Sequence, residues 1–306
     1  MAQPAQPASH ALSALDHALA AAVATAAPSI VHVARGHGHA GSGIVWADDL
    51  VISASFHTPD RTFVGIPTGP DGDLDRRAAE VIGRDPGTDV ALLRVAGGGL
   101  TPASFRELDD LAVGNLVLAL GRPGRTVRAS LRAIGVLGPE VRTPHGGTLA
   151  RYVESDRQIP RGFAGGPLID AAGAVIGMNT RTLLRGEDLA VPTATLRGVV
   201  DELRAHGGVR KGYLGVGAFP AQLPPTLAQL AGRDRGALIA SIEDGSPAAS
   251  GGLIVGDIVV AVAGDEVTGP DSLRLALADR PGETVELRVL RGGALHTFSV
   301  ALGSRP

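Results

Sequence analysis

Between residues 29 and about 192 the chain alternates brief apolar runs with glycine- and proline-rich breaks. The runs are SIVHVA, SGIVW, LVISASF, DVALLRV, LVLALG, RAIGVLG and AVIGMN. Runs this short, rich in β-branched residues and bounded by turn signals, predict strands of an all-β barrel or sandwich rather than βαβ units. At 193–206, TATLRGVVDELRAH, the period changes. Leu196, Val199, Val200 and Leu203 share one helical face there and predict an amphipathic helix. GGVRKG at 207–212 reads as a linker.

A second pattern begins at Tyr213. Strands are expected near YLGVGAF, ALIASI, DIVVAVAGDEV, TVELRVL and HTFSVAL, with short helices at SPAASGG and PDSLRLALADR. Pro270 suits the first turn of the second helix, Pro281 follows its end, and Arg291-Gly292-Gly293 closes a hairpin. Upstream of the first run, an Ala-rich helix is expected with its cap near Ser13 and its end before Pro28. The expected division is a tail and helix over 1–28, a mainly β domain over 29–208 and a smaller domain of strands and short helices over 209–306.

Composition narrows the function. The 306 residues contain no cysteine, which excludes disulfides, thiolate metal sites and cysteine nucleophiles. A net charge of -3 with 3% aromatics offers neither a basic face nor stacking platforms, so no nucleic-acid partner is expected. The N-terminus has no basic n-region, and Asp16 and His17 interrupt its apolar stretch. Ala18–Ala27 reads as too short and Ala-rich to span a membrane. The expectation is a cytoplasmic, unexported chain, or a periplasmic one if an export signal has been removed.

Acyl transfer requires a nucleophile, a base, a carboxylate that orients the base, and amides that receive the oxyanion. His57 ends the run VISASFH where a strand would hand it to a loop. Asp89 opens DVALLRV after the turn-like DPGT. RGFAGGPLID, at 161–170, is a glycine-framed loop around Ala164. Each has an ordinary structural reading: an exposed loop histidine, a cap, and a common turn. Their joint arrangement is what points to chemistry.

These segments resemble the HtrA/DegP-type trypsin-fold serine proteases with a C-terminal PDZ domain. GSGIVW, VISASFHTPD, GRDPGTDVALLRV, VGNLVLALGRPG, ESDRQIPRGFAGGPLID, GAVIGMNT and LAVP occur in that family's order, followed by GYLGV and SPAASGGLIVGDIVVAVAGDEV. The resemblance implies a mainly β chain, a trypsin-like double β-barrel followed by a PDZ domain. His57 would be the general base and Asp89 its orienter, with Gly162 and Ala164 supplying oxyanion amides. Gly177, Met178, Asn179 and Thr180 would border the specificity pocket. Leu189, Ala190 and Val191 would pair with an extended peptide. Tyr213, Leu214, Gly215 and Val216 would receive a peptide's C-terminal carboxylate. Unfolded polypeptides or protein C-termini would be the partners, no cofactor is implied, and the family's trimers imply a homo-oligomer. The aromatic N-terminal contacts that build those trimers have no counterpart before Trp46.

Two departures stand out. Ala164 occupies the family's serine position and Phe163 replaces a small polar residue. A methyl cannot attack a carbonyl, and loss of such a nucleophile costs about 10⁶ in turnover. The chain as written is expected to be inactive, either as a Ser-to-Ala variant of an active protease or as a natural pseudoprotease that binds peptides. Ser155 and Ser130 lie outside the glycine-framed turn.

Other motifs read as structural. Gly36 to Gly41 matches G-x-G-x-x-G formally but precedes a strand rather than a helix. His32, His37 and His39 lack a nearby carboxylate, so no metal site is expected. Arg122, Arg125, Arg128 and Arg132 read as a solvated strand face.

Overall fold

The computed structural model describes residues 6–34, 40–68, 73–184 and 187–305, with the side chains of residues 6–9 and His57 outside that description. The chain divides into two compact units after Val209.

The first unit opens with helix α1 (Gln6–Ala26) and a 3-10 turn, Ala27–Ser29. Strands β1 (Ile30–Ala34), β2 (Ala40–Ala47), β3 (Leu50–Ala54), β4 (Arg61–Pro67), β5 (Leu74–Asp85) and β6 (Val90–Val95) close a barrel in the order β1-β2-β3-β6-β5-β4. Strands β7 (Leu116–Gly121) and β8 (Arg128–Leu137) begin a second barrel. The small hairpin β9 (Val141–Arg142) and β10 (Thr148–Leu149) interrupts it. β11 (Val153–Ser155), β12 (Pro167–Ile169), β13 (Val175–Leu184) and β14 (Glu187–Pro192) complete it in the order β11-β14-β13-β12-β7-β8. Helix α2 (Thr193–His206) ends the unit, with Gly207 in the left-handed conformation at its C-terminus.

The apolar runs are continuous because both strand faces are covered. Val51 and Leu93 fill the first barrel with Val31, Val33 and Val64. Their neighbours Leu50, Ile52 and Leu92 face outward onto Leu118, Leu120, Met178 and the helices, through Ala22, Leu196 and Leu203. Val117, Ala119, Ile176 and Phe163 fill the second barrel. β5 breaks this rule: its alternating exposure and its Arg76, Arg77 and Glu80 mark it as a one-faced strand. That is why the apolar pattern passes over it.

The N-terminal helix departs from expectation twice. It starts at Gln6, well before Ser13, because alanine-rich sequence propagates helix without needing that cap. By length and composition alone, His10–Ser29 is also long and apolar enough to cross a membrane, correcting the reading that this stretch is too short.

In the second unit, β15 (Lys211–Tyr213) pairs with β22 (Gly303–Arg305). The main sheet runs β16 (Val216–Gln222), β17 (Arg235–Ile242), β18 (Ile258–Val262), β20 (Thr284–Arg291) and β21 (Ala294–Ala301), with β19 (Asp265–Glu266) beside β18. Helices α3 (Pro225–Ala231), α4 (Pro247–Ser250) and α5 (Pro270–Ala278) pack around it. Gly292 and Gly293, both at positive φ, close the β20–β21 hairpin.

Candidate active site and peptide groove

The Asp85 carboxylate accepts hydrogen bonds from the amides of Gly87 and Thr88, each at 3.1 Å, and from the Thr88 hydroxyl at 2.7 Å. This Asx-type turn delivers Asp89 to the start of β6. Asp89 is fully buried with φ +57, a left-handed conformation sparsely used outside glycine and common where function constrains the backbone. Its Oδ1 accepts from the Phe56 amide at 2.9 Å, and its Oδ2 accepts from the hydroxyls of Thr180 (2.6 Å) and Thr182 (2.9 Å). The two threonines belong to β13, so the carboxylate joins the barrels. His57 closes the 3-10 turn Ser55–His57 after β3, directly after the residue whose amide Asp89 holds.

The loop before β12 is the second part. Gly162 and Gly165 take φ +84 and +83, conformations that favour glycine. A side chain at Gly165 would meet the Ser42 carbonyl oxygen at 2.3 Å, so the loop lies against β2. The Phe163 amide donates to Pro160 (3.1 Å), that of Gly165 to Asn179 (2.9 Å) and that of Gly166 to Phe163 (2.8 Å). The amides of Gly162 and Ala164 donate to no acceptor among the described residues. Phe163 is buried with Leu168, Ile176 and Ala190, and its ring presses on Gly121. It therefore anchors the loop that carries Ala164, itself 4% exposed.

The remaining expected site residues of this unit sit in β13 and β14. Gly177 and Met178 lie within β13, and Met178 is fully buried in the apolar layer it shares with Leu50, Ile52 and Leu92. The Asn179 side chain holds the Pro167 carbonyl at 2.8 Å, and Thr180 holds Asp89. Leu189, Ala190 and Val191 are buried in β14, which lies between β11 and β13 of a closed barrel. β11 meets β14 at one pair, Glu154 with Leu189, and β13 pairs along its other side, so Leu189 offers no open edge to a peptide. The available edge is on β13: beyond Met178 the ladder to β12 ends, and Thr180–Leu184 has no strand on that side among the described residues. Thr182 escaped sequence reasoning. The signal that could have found it is the Thr-Arg-Thr alternation, which puts both hydroxyls on one strand face.

The arginine cluster is solvated only in part: Arg125 and Arg128 are exposed, as expected, and the other two are not. Arg122 and Arg132 are 5% and 2% exposed, their guanidinium groups turned inward onto backbone carbonyls. His32 Nδ1–H donates to the Arg122 carbonyl oxygen at 3.2 Å. His37 and His39, with Gly36 and Gly38, lie outside the described residues, while Gly41 belongs to β2.

In the second unit, Tyr213, Leu214, Gly215 and Val216 line a cavity of about 270 Å³ whose opposite wall is α5 with Leu273 and Leu277. Gly215 has φ +81 and approaches Ser246 so closely that a Cβ would meet its Cβ at 2.3 Å. The Tyr213 hydroxyl donates to Glu243, which also accepts from Arg305 at 2.7 Å, and the Arg305 guanidinium stacks 3.7 Å from the Tyr213 ring centroid.

Two β-barrels joined through a buried aspartate, with a glycine-framed loop beside it, define a trypsin-like fold. Residues 41–178 match the trypsin-like peptidase domain family and residues 212–302 the PDZ domain family. The chain is of the HtrA/DegP type: a trypsin-like peptidase domain followed by a PDZ domain. A probable periplasmic serine endoprotease DegP-like of Ectopseudomonas mendocina is 32% identical over 278 residues. A protein of the same name from Halomonas elongata is 34% identical over 277. Each alignment covers 87% of this chain and 56% of the relative, so the chain spans about half the length of the curated relatives it matches. The solved HtrA-type protease AlgW with decapeptide superposes with a TM-score of 0.67 at 26% identity, covering 94% of this chain and 99% of that one. The serine endoprotease from Yersinia pestis shares the fold, with a TM-score of 0.66 at 24% identity over 94% and 98% of the two chains.

Proposed function

We propose that this chain carries the machinery of a serine endopeptidase acting on unfolded polypeptides, and that Ala164 leaves it able to bind such chains but not to cut them. The observation that carries this reading is the pair of amides at Gly162 and Ala164, unpartnered among the described residues and set beside the engaged amides of Phe163, Gly165 and Gly166. Preorganised donors of this kind stabilise the oxyanion of acyl transfer. In this reading His57 is the base, Asp89 orients it, and residue 164 is the nucleophile position. The free edge at Thr180–Leu184 receives the substrate backbone by strand addition.

The second unit, residues 210–306, is proposed to recruit substrates by a free C-terminus. The amides of Leu214, Gly215 and Val216 would hold the carboxylate, and the last side chain would enter the apolar cavity between that loop and α5. The relatives' names place them in the periplasm, and we adopt that location over the cytoplasmic expectation.

The test is Ala164→Ser incubated with a permanently unfolded protein. Cleavage supports an active parent. A folded, inactive variant supports instead a peptide-binding protein that never hydrolysed its ligand.

A further inference from the structure

Ser42, in the Gly41-Ser42-Gly43 segment of β2, is fully buried. Its amide donates to the Ala164 carbonyl at 3.2 Å and its hydroxyl donates to the Gly162 carbonyl at 2.7 Å. The same hydroxyl accepts from the Arg122 amide at 2.7 Å, and the Ser42 carbonyl accepts from the Ser53 hydroxyl at 2.8 Å. Peptide groups are rigid planes, so fixing a carbonyl fixes the orientation of its whole unit. Ser42 fixes the planes that follow Gly162 and Ala164. The plane bearing the Ala164 amide lies between those two, and the plane bearing the Gly162 amide immediately precedes them.

The Arg122 side chain extends this arrangement outward. Nε donates to the Ile30 carbonyl at 2.7 Å, one terminal nitrogen to Ala27 at 3.0 Å and the other to Arg125 at 2.7 Å. No carboxylate is among its partners in the described residues. A buried guanidinium held by carbonyls alone fastens backbone to backbone, here the end of the N-terminal helix to the turn after β7. Pro123, in the same turn, lies so close to Gly162 that a Cβ there would meet it at 2.5 Å. One continuous path therefore runs from the Ala27 and Ile30 carbonyls through Arg122 and Ser42 to the Gly162 carbonyl.

We propose that Ser42 and Arg122 are positioning residues for the Gly162 and Ala164 amides, and that Arg122 couples this amide pair to the seating of residues 27–30 on the barrel. The proposal rests on reading those amides as oxyanion donors, but part of its test does not. The test compares Ser42→Ala and Arg122→Met in the chain as it stands and in the Ala164→Ser background.

In the unchanged background, hydrogen exchange is read at the engaged amides of Phe163, Gly165 and Gly166. Ser42→Ala is expected to speed their exchange about tenfold while the β3 and β6 amides keep their rates. Arg122→Met is expected to loosen residues 27–34 and 162–166 together. In the Ala164→Ser background Ser42→Ala is expected to lower kcat about 10²-fold with KM unchanged, as a misplaced donor acts on the transition state.

Unaltered loop exchange in Ser42→Ala overturns the positioning role. Loosening of 27–34 alone in Arg122→Met overturns the coupling. Should Ser42→Ala fail to fold, Arg122→Met still decides through the same exchange readout. Should Ala164→Ser prove inactive, the oxyanion reading falls while the exchange result stands by itself.

Discussion

The Thr180 hydroxyl of the second barrel donates to the Asp89 carboxylate of the first at 2.6 Å, and Thr182 joins it from the same strand face at 2.9 Å. With the Phe56 amide as a third donor, the buried carboxylate is held from two barrels at once. An aspartate buried in the left-handed conformation is expensive to maintain unless such bonds hold it.

Replacing Thr180 with Val keeps the shape and removes one charge-assisted bond. A loss of about 1.5–3 kcal/mol is expected from urea unfolding, with Thr182→Val costing less because its bond is longer. In the Ala164→Ser background Thr180→Val is expected to lower kcat more than it raises KM. Unchanged stability in both variants would show that Asp89 is held by other means.

Gly165→Ala tests the loop directly. A Cβ would sit 2.3 Å from the Ser42 carbonyl oxygen and 2.7 Å from the Ala54 amide nitrogen, at φ +83. Strain and overlap together are expected to cost about 2 kcal/mol or more in chemical unfolding.

The extent to which sequence revealed this molecule follows burial. SIVHVA, LVISASF and DVALLRV were legible as strands because both their faces are covered, which makes the runs continuous. β5 was not, since its charged outer face dilutes the signal. The glycine loop showed itself locally through residues that only close backbone approach explains. Its supports did not: Ser42 reaches Gly162 across 120 positions and Thr182 reaches Asp89 across 93. Whether a strand such as β13 or β14 has a free edge is decided by barrel closure, which no local pattern carries. Arg122 and Arg132 looked solvated because their partners are backbone carbonyls, invisible as residue types.

His32 supplies a pH dependence. Its pKa is lowered from the ordinary 6.5, chiefly by burial, although the Arg122 carbonyl acts in the opposite direction. The unfolded chain therefore binds the proton more readily than the folded one. The neutral ring's contribution is complete above about pH 6.5 and is lost as pH falls from there toward the depressed folded value. Thermal or urea midpoints measured from pH 8 to pH 5 are expected to fall less steeply in His32→Gln than in the parent. Parallel curves would remove His32 from the account.

For the second unit, a peptide with a free C-terminus and an apolar last residue is expected to bind the full chain, and its C-terminal amide at least about tenfold more weakly. Gly215→Ala, which forces a Cβ into Ser246, is expected to abolish the difference. Equal binding of acid and amide in a calorimetric titration contradicts carboxylate capture.

The most direct test of the whole account is covalent labelling of Ala164→Ser with a serine-directed fluorophosphonate, located by peptide mass spectrometry. A site assembled for acyl transfer and lacking only its nucleophile predicts one adduct, on residue 164, abolished by His57→Ala and absent from the parent chain. A folded variant that stays unlabelled, or that is labelled equally without His57, would contradict it.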